Sequence, residues 1–422
     1  MKTLRNILPT SNFYKNISIL TLGNVLSNLI TAIALIILAR IYTPEDFGVA
    51  SVYVSIISIA IVISSLRLNM AIPLPNSEED AKQLLILSFI FSLLISIFVS
   101  IFIFIFPEQF LVLINQPDLS EFLWLIPLGI FLGSIYNVLQ FWATRKKRFK
   151  DISITNIIRS TFGSLIQVIV GLFILGPFGL ILGHFAYAFF GSFRLAIPLF
   201  SKDNFFNTTY SFKNTTRVLK DYKKFPIFSF PESLFNTSSQ YIPLIIIASF
   251  IKIEAGFLFI AIRLMSLPVT LIGKSISQVY LSEAKTKIHN GEIYNFTISL
   301  IKKIAVFAVP LFLIIAAISP FIFGTILGDQ WSRVGIIIAM IAPWHLLQII
   351  VSPISTVLHV TNNQQIALNI QIIGFVLRVG AIVLGIMYFS EYLTEILALS
   401  SAIFYLFYLI YLINFTQKQK NF

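Results

Sequence analysis

The chain has 422 residues, of which 57% are hydrophobic and only 11% are charged, and its mean hydropathy is +0.88. A soluble domain cannot bury so much apolar surface, so the composition excludes a water-soluble protein and indicates a polytopic membrane protein. The sequence contains no cysteine, which excludes disulfides, thiolate metal sites and a cysteine nucleophile.

Apolar runs of about 20 residues, separated by short polar breaks, predict an all-α protein with transmembrane helices. Twelve spans are predicted, near residues 16–39, 48–72, 83–106, 122–143, 152–175, 177–199, 226–250, 256–282, 304–324, 334–359, 366–388 and 392–414. The basic N-terminal stretch enters the first span without a small-residue cleavage site, so we expect an uncleaved first helix.

Lysine and arginine in the loops predict the orientation, because cytoplasmic loops carry the excess of basic residues. With a cytoplasmic N-terminus, 21 of the 30 basic residues lie inside, and only Arg40, Lys252 and Arg333 lie in outer loops. Both termini are therefore predicted to be cytoplasmic, and the protein is expected in the cytoplasmic membrane. This distribution also explains the net charge of +12 without a nucleic-acid partner, and basic inner loops favour anionic lipid headgroups.

The longest polar break, residues 200–225, divides the chain into two halves of six spans with the same orientation. We therefore predict an N-terminal six-helix bundle at 1–199, a cytoplasmic linker at 200–225 and a C-terminal six-helix bundle at 226–422. Six is an even number, so the halves would be parallel repeats related by an axis along the membrane normal.

The first span of each half is unusually polar. Span one carries Asn24 and Asn28 on one helical stripe, and span seven carries Asn236 and Gln240 among several prolines. Polar, proline-interrupted spans at matching positions of two halves indicate the walls of a central transport cavity. The alternative is hydrogen bonding between helices, which is common in membrane bundles.

Positive charge within the spans is the strongest functional signal. Arg263 and Lys274 flank Pro268 in span eight and lie eleven residues apart, which returns them to nearly the same helical face. Burying a cation in a membrane costs free energy, so the cation needs an anion or a water-filled space beside it. The alternative, for a cation near the end of a span, is that its side chain extends to the membrane surface. We therefore predict that five cations give the cavity a positive potential suited to an anionic substrate: Arg67, Arg159, Arg263, Lys274 and Arg378. Arginine suits phosphate because its planar fork bonds two oxygens at once.

Three acidic residues are candidates for ion coupling or gating. Glu45 and Asp46 follow span one, where the alternative is a solvated turn around Pro44, and Glu232 lies near one end of span seven. His184, His345 and His359 are weaker candidates for proton relay, because a lone histidine in a span is more often structural. The sequence contains no catalytic or nucleotide-binding motif, so we expect a transporter rather than an enzyme, without a metal or other cofactor.

Three stretches resemble a known family: Ala39 to Gly48 (ARIYTPEDFG), Gln140 to Arg159 (QFWATRKKRFKDISITNIIR) and Arg263 to Pro268 (RLMSLP). With twelve spans in two halves, the chain resembles the bacterial polysaccharide flippases of the multidrug/oligosaccharidyl-lipid/polysaccharide exporter superfamily. The nearest branch resembles the O-antigen or capsule repeat-unit translocases, which act in lipopolysaccharide and capsule biosynthesis.

The resemblance implies two six-helix bundles facing a central cavity that opens alternately to either side of the cell membrane. It implies a lipid-linked oligosaccharide substrate, joined by pyrophosphate to undecaprenol and moved from the inner to the outer leaflet of the bacterial inner membrane. A polysaccharide polymerase is a candidate partner, which the sequence does not identify. Arg263 matches a cavity-lining position of the peptidoglycan-precursor flippases. Those relatives usually have fourteen spans, so a chain of twelve argues against lipid II as the substrate. Three alternatives remain for the force that drives transport: the membrane potential, antiport of H⁺ or Na⁺, and removal of the transported product by a polymerase.

Two other functions are weighed against the flippase. A multidrug or organic-cation exporter of the same superfamily should carry acids inside its spans, whereas this chain carries arginines. A membrane polysaccharide polymerase needs a sizeable outer loop for its chemistry, whereas the longest outer loop predicted here is about residues 107–121. The sugar of the substrate is not encoded in any motif.

Overall fold

The structure, a computed structural model, describes residues 11–203 and 212–419, and within these ranges it contains helices and no strand. Helices satisfy every backbone hydrogen bond within one segment, which a segment in lipid requires. The long helices are α1 (Ser11–Ile41), α2 (Pro44–Ser64), α3 (Glu78–Ile105), α4 (Leu125–Arg145), α5 (Phe149–Phe173), α6 (Phe178–Lys202), α7 (Phe230–Phe250), α8 (Lys252–His289), α9 (Ile293–Leu327), α10 (Ser332–Ile354), α11 (Gln364–Tyr388) and α12 (Leu393–Lys418).

The prediction of an all-α membrane protein with twelve long helices is confirmed. Eleven of the helices in the described ranges are long and apolar enough to cross a membrane. The twelfth, α7, has 21 residues but is less apolar, because Glu232, Asn236, Ser239 and Gln240 interrupt it. The protein is therefore multi-pass, and the one long helix outside these eleven in the described ranges begins the second half of the chain.

Helix α2 ends eight residues earlier than the sequence predicted, at Ser64 rather than near 72. Leu66 and Arg67 then adopt left-handed backbone conformations, with φ of 47° and 60°, before a short 3₁₀ turn at Leu68–Ala71. Two successive left-handed residues break a helix, and an apolar run such as this one does not reveal the break. Arg67 consequently lies beyond the helix and not within it.

Helices α8 and α9 are longer than a membrane requires. They contain 38 and 35 residues, or about 57 and 52 Å of helix against a hydrocarbon core of about 30 Å. At the predicted inner end of span eight they pack on each other through Tyr280, whose hydroxyl lies 2.8 Å from that of Thr297 and whose ring stacks on Phe296. The chain thus forms a helical hairpin at its predicted cytoplasmic face.

The chain divides into two compact units. Unit 1 comprises the described residues of Met1–Ile41, Ala60–Phe110 and Ser120–Ile227, and unit 2 comprises Tyr42–Ile59, Leu111–Leu119 and Phe228–Phe422. The second half of the chain is therefore joined in unit 2 by two segments from the first half, the beginning of α2 and the segment 111–119.

Part of the predicted linker packs on unit 1 as a short amphipathic helix, Phe212–Asp221 (the linker helix). Its Val218 is buried with the apolar side chains of α3 and α4, its Thr215 hydroxyl donates to Gln83, and Arg217 pairs with Asp80 at 2.5 Å. Burial and the nearby carboxylates Asp80 and Asp221 raise the pKa of Tyr222, which follows this helix. The linker helix therefore belongs to the core at one end of unit 1.

Candidate functional site

Arg159 lies in α5 and is enclosed by rings in unit 1. Its guanidinium carbon is 3.6 Å from the ring centroid of Tyr136 in α4 and 3.6 Å from that of Tyr187 in α6. The side chain is 9% exposed and forms no ion pair with a described carboxylate. Cation–π attraction to two ring faces, strengthened by desolvation, stabilises the charge in place of a carboxylate.

A chain of hydrogen bonds connects this arginine to α1. The Tyr136 hydroxyl donates to the Asn156 side-chain oxygen at 2.7 Å, and the Asn156 amide donates to the Asn24 oxygen at 2.9 Å. The Ser27 and Ser160 hydroxyls bridge α1 and α5 at 2.5 Å. Asn24 therefore makes the interhelical bond that the sequence analysis gave as an alternative, while Asn28 is half-buried one turn away and its contact with substrate stays a prediction.

Arg378 lies in α11 and is completely buried in unit 2. One Nη atom donates to the Ser239 hydroxyl of α7 at 2.9 Å, while Nε and the other Nη have no hydrogen-bond partner among the described residues. The guanidinium carbon lies 4.4 Å from the Phe404 ring centroid, 5.1 Å from that of Tyr405 and 6.0 Å from that of Trp344. Rings therefore surround this cation at greater distances than they surround Arg159.

The two buried arginines occupy corresponding places in the two halves. Each lies on the fifth helix of its half, between rings of the fourth and sixth helices, and each polar cluster reaches the first helix. The participants are Tyr136, Arg159, Tyr187 and Asn24 in the first half, and Trp344, Arg378, Phe404, Tyr405 and Ser239 in the second. This correspondence supports the prediction that the halves are repeats.

The other predicted cations are distributed over both units. Arg263 is half-buried in α8, and Arg67 is half-buried beyond the end of α2. Lys274 also lies in α8, but its side chain is outside the described residues. In α7 the amide of Gln240 donates to the side-chain oxygen of Asn236 at 3.1 Å, and both side chains are half-buried.

The three acidic candidates have different partners. Asp46 and Thr43 cap the start of α2 reciprocally: the Asp46 carboxylate accepts from the backbone N–H and hydroxyl of Thr43, and the Asp46 N–H donates to that hydroxyl. Glu45 is exposed and lines an outer pocket of about 490 Å³ in unit 2. Glu232 is mostly buried and lies 3.3 Å from Nε2 of His359. Their roles in coupling or gating stay predictions.

The predicted outer ends of α2 and α8 meet within unit 2 at two glycines. A Cβ atom on Gly256 would lie 1.9 Å from the Pro44 carbonyl oxygen, and one on Gly48 would lie 2.3 Å from the Lys252 carbonyl oxygen. Only glycine permits backbones to approach so closely. Beside them Phe47 is fully buried. Its ring lies edge-on to the ring of Trp331, with 5.3 Å between the two ring centroids.

The segment 111–119 closes on the same region of unit 2. The side-chain amides of Asn115 and Gln116 donate to the backbone oxygens of Ser249 and Ala248, at 2.6 and 2.8 Å, and Asp118 pairs with Lys252 at 2.5 Å. These bonds satisfy carbonyls at the C-terminal end of α7, which have no partner within the helix. The sequence analysis missed this arrangement, because side chains in a short loop give no periodic signal.

Three charged residues connect the outer ends of α8, α10 and α12. The guanidinium of Arg333 lies 2.8 Å from the Glu254 carboxylate and 2.6 Å from that of Glu395. The sequence alone identified Arg333 only as one of three basic residues in the predicted outer loops. The structure shows that it holds two carboxylates together in unit 2.

The basic stretch after α4 stabilises one end of unit 1. Arg145 donates to the backbone oxygens of Pro75 and Ser77, and Arg148 binds the nearly buried Asp203 with two nitrogens, at 2.5 and 2.8 Å. Asp203 also accepts from the indole N–H of Trp142. These side chains therefore connect loops, beyond their contribution to the predicted orientation.

Comparison with known proteins identifies the family. The family model described as "Polysaccharide biosynthesis protein" matches residues 37–335, which is most of the chain. The chain belongs to this family. The match confirms the resemblance found in the sequence.

Relatives and solved structures agree with this assignment. The teichuronic acid biosynthesis protein TuaB of Bacillus subtilis (strain 168) is 26% identical over 144 residues, which cover 34% of this chain and 30% of that relative. The chain thus matches less than a third of that relative's length. An inward closed structure of the lipid II flippase MurJ has a TM-score of 0.74 at 14% identity and covers 94% of this chain and 89% of that one.

An inward-facing multidrug resistance MATE transporter of the MOP superfamily has a TM-score of 0.66 at 13% identity, covering 94% of this chain and 96% of that one. At these identities the likeness shows the fold alone. The protein therefore has the transporter fold of the MOP superfamily and belongs to a family of polysaccharide biosynthesis.

Proposed function

We propose that the protein is a flippase that moves an undecaprenyl-pyrophosphate-linked oligosaccharide repeat unit from the inner to the outer leaflet by alternating access. The observation that carries this proposal is the combination of a polysaccharide biosynthesis family with a fold shared by a lipid II flippase and MATE transporters. This chain also carries arginines in its membrane helices, and their positive charge favours the binding of an anionic lipid-linked sugar.

The proposed recognition divides the substrate between three kinds of surface. The diphosphate binds cations that are not fully enclosed, with Arg263 first and Arg67 as a further candidate. Lys274 is a third candidate from its place in the sequence alone. Polar side chains of α1 and α7, in particular Asn28, Asn236 and Gln240, solvate the sugars, and the prenyl chain stays in lipid. Arg159 and Arg378 add positive potential from within their units, and direct contact with substrate would require the surrounding rings to move.

Binding of the anion would lower the Coulomb cost of bringing the cationic helices together, which is how a ligand shifts a two-state equilibrium. Glu232, with its His359 partner, is the proposed coupling residue, because it is mostly buried and can exchange a proton with a histidine. H⁺ and Na⁺ both stay open as the coupling ion, and a polysaccharide polymerase is the proposed partner on the outer side.

The proposal is tested by removal of charge at Arg263. In proteoliposomes carrying the lipid-linked oligosaccharide that accumulates when the gene is deleted, Arg263→Ala should reduce flipping about tenfold or more, because a charge-assisted bond is worth about 1.5–3 kcal/mol. Arg263→Lys should retain part of the activity. Both variants should insert into the membrane normally.

Arg194→Ala is the matched control, because Arg194 is a membrane-helix arginine that faces Asp151 at 3.6 Å near a helix end. It should leave flipping within about twofold, as expected for a partly exposed pair at a long distance. Full activity of Arg263→Ala would contradict the proposal. Transport of an organic cation, with no movement of the glycan, would favour the multidrug exporter.

A further inference from the structure

Buried hydrogen-bond donors without partners gather around Arg378 in unit 2. Besides Nε and one Nη of Arg378, the indole N–H of Trp344 and the hydroxyl of Ser401 have no partner among the described residues. The guanidinium carbon lies 6.0 Å from the Trp344 ring centroid, and Ser401 lies three and four residues before Phe404 and Tyr405. Residues with this spacing share one face of a helix, so Ser401 lies on the face of α12 that contacts Arg378.

Nearly all polar groups buried in proteins have a hydrogen-bond partner, so several unpartnered donors in one place require an explanation. The charge strengthens this requirement. Arginine stays protonated in proteins, and a buried cation without compensation costs several kcal/mol. In the described part of the chain no carboxylate pairs with Arg378, which donates one hydrogen bond to Ser239 and also interacts with the side chain of Tyr405.

Arg159 shows how the same protein compensates a buried guanidinium without an anion. Two tyrosine rings cover its faces at 3.6 Å each, and Nε is the one guanidinium nitrogen of Arg159 that is both fully buried and without a hydrogen-bond partner among the described residues. Around Arg378 the three rings lie at 4.4, 5.1 and 6.0 Å, and two of the three guanidinium nitrogens lack partners. The difference indicates that rings suffice for Arg159 and that a further ligand completes the surroundings of Arg378.

We propose that Arg378, Ser239, Trp344, Ser401, Phe404 and Tyr405 (the Arg378 box) bind a small monovalent inorganic anion of the chloride class. The anion would accept from the guanidinium, the indole N–H and the Ser401 hydroxyl, and it would neutralise the charge that has no carboxylate. The bound anion would cancel the positive potential that Arg378 adds in the proposed transport function, which would then rest on the other cations. The binding concerns groups enclosed within one unit, so its test is independent of transport.

The enclosure predicts the selectivity of the box. Arg378 is 0% exposed and Trp344, Ser401 and Phe404 are each at most 3% exposed. A small ion with one charge suits a fully enclosed site that offers several hydrogen-bond donors. Sulfate and phosphate are larger and more strongly hydrated, and we expect neither to replace chloride.

The test measures the thermal stability of the purified full chain in nanodiscs. Sodium gluconate is exchanged for sodium chloride or sodium bromide at constant ionic strength. A ligand that binds the folded state alone raises the midpoint of unfolding as its concentration increases. We expect chloride and bromide to raise the midpoint saturably, and sulfate to leave it unchanged.

Three variants locate the ion. Arg378→Met should abolish the chloride response, and in gluconate it should be at least as stable as the wild type, because the buried charge is gone. Trp344→Phe keeps the ring but removes one donor, so it should weaken chloride binding about tenfold. Arg159→Met is the matched control and should keep the chloride response of the wild type.

The main rival ligand is a water molecule. Gln371, seven residues before Arg378 in α11, has an unpartnered side-chain oxygen that a water could connect to the guanidinium. A water gives no dependence on the anion, so a flat chloride titration of the wild type would overturn the proposal. A chloride response that survives in both Arg378→Met and Trp344→Phe would overturn it as well, since the ion would then bind elsewhere.

Discussion

Single residues in this protein show that a membrane arginine does not need a carboxylate. The sequence singled out Arg159 and Arg378 as costly charges, but it could not name their partners. Tyr136 and Tyr187 lie 23 and 28 residues away from Arg159 on neighbouring helices. Which rings meet the guanidinium depends on the rotation of three helices about their axes, and hydropathy does not specify that rotation.

We expect the Tyr136 ring to matter more to stability than its hydroxyl. Tyr136→Phe retains the ring over Arg159 and loses the bond to Asn156, which should cost about 1 kcal/mol. Tyr136→Leu also removes one face of the cation–π pair and should cost about 2 kcal/mol more. Chemical unfolding of the purified protein measures both values, and equal losses in the two variants would show that the ring does not stabilise the cation.

At the scale of elements, hydropathy predicted the helices that cross the membrane, but it missed the helices and helix ends that depend on packing between elements. The twelve spans were predicted because each must present an apolar surface of fixed length. The linker helix and the hairpin of α8 and α9 lie beyond the apolar runs, where that signal ends. The early end of α2 at Ser64 was missed because Leu68, Ala71 and Ile72 are buried apolar residues that continue the hydropathy of the helix.

The contact between α2 and α8 should depend on the absence of a side chain at Gly256. Gly256→Ala places a methyl group against the backbone oxygen of Pro44, which cannot move aside as a side chain would, so the two helix ends should separate. The 2.5 Å pair of Lys252 with Asp118 reports on displacement of the beginning of α8, because a carbodiimide joins an ammonium and a carboxylate only where they touch. We expect Gly256→Ala to lower the yield of that cross-link several-fold, as measured by peptide mass spectrometry.

Gly380→Ala is the control, because a Cβ at Gly380 in α11 meets nothing within 4 Å. It should leave the cross-link unchanged and alter stability by no more than about 1 kcal/mol. An undiminished cross-link in Gly256→Ala would show that the glycine contact does not hold the ends together.

For the whole molecule, the charge distribution carries information that no single helix contains. The excess of basic residues at one side of the membrane predicted the orientation, whereas contacts such as Arg148 with Asp203 show that some of these residues also hold loops together. The family and fold confirm a multi-pass transporter architecture. The orientation itself is still a prediction.

The lack of native cysteine makes the orientation directly testable. Lys224→Cys and Glu391→Cys place single thiols at exposed positions on opposite predicted sides. A membrane-impermeant maleimide added to intact cells, with the outer membrane permeabilised where one is present, should label residue 391 and not residue 224. After the inner membrane is disrupted, both should react. The reverse pattern would place both termini outside.

The paired extension of α8 and α9 also matters for experiment. From Glu283 to His289, α8 continues for about 10 Å past the predicted end of span eight, and the nearby Tyr280 contact joins it to α9. Detergent or lipid otherwise encloses almost all of a protein of this size, so few features outside the micelle or nanodisc are available for aligning particle images in electron microscopy. An antibody fragment raised against this protrusion would supply a rigid fiducial, so the substrate path could be imaged with its glycan in place.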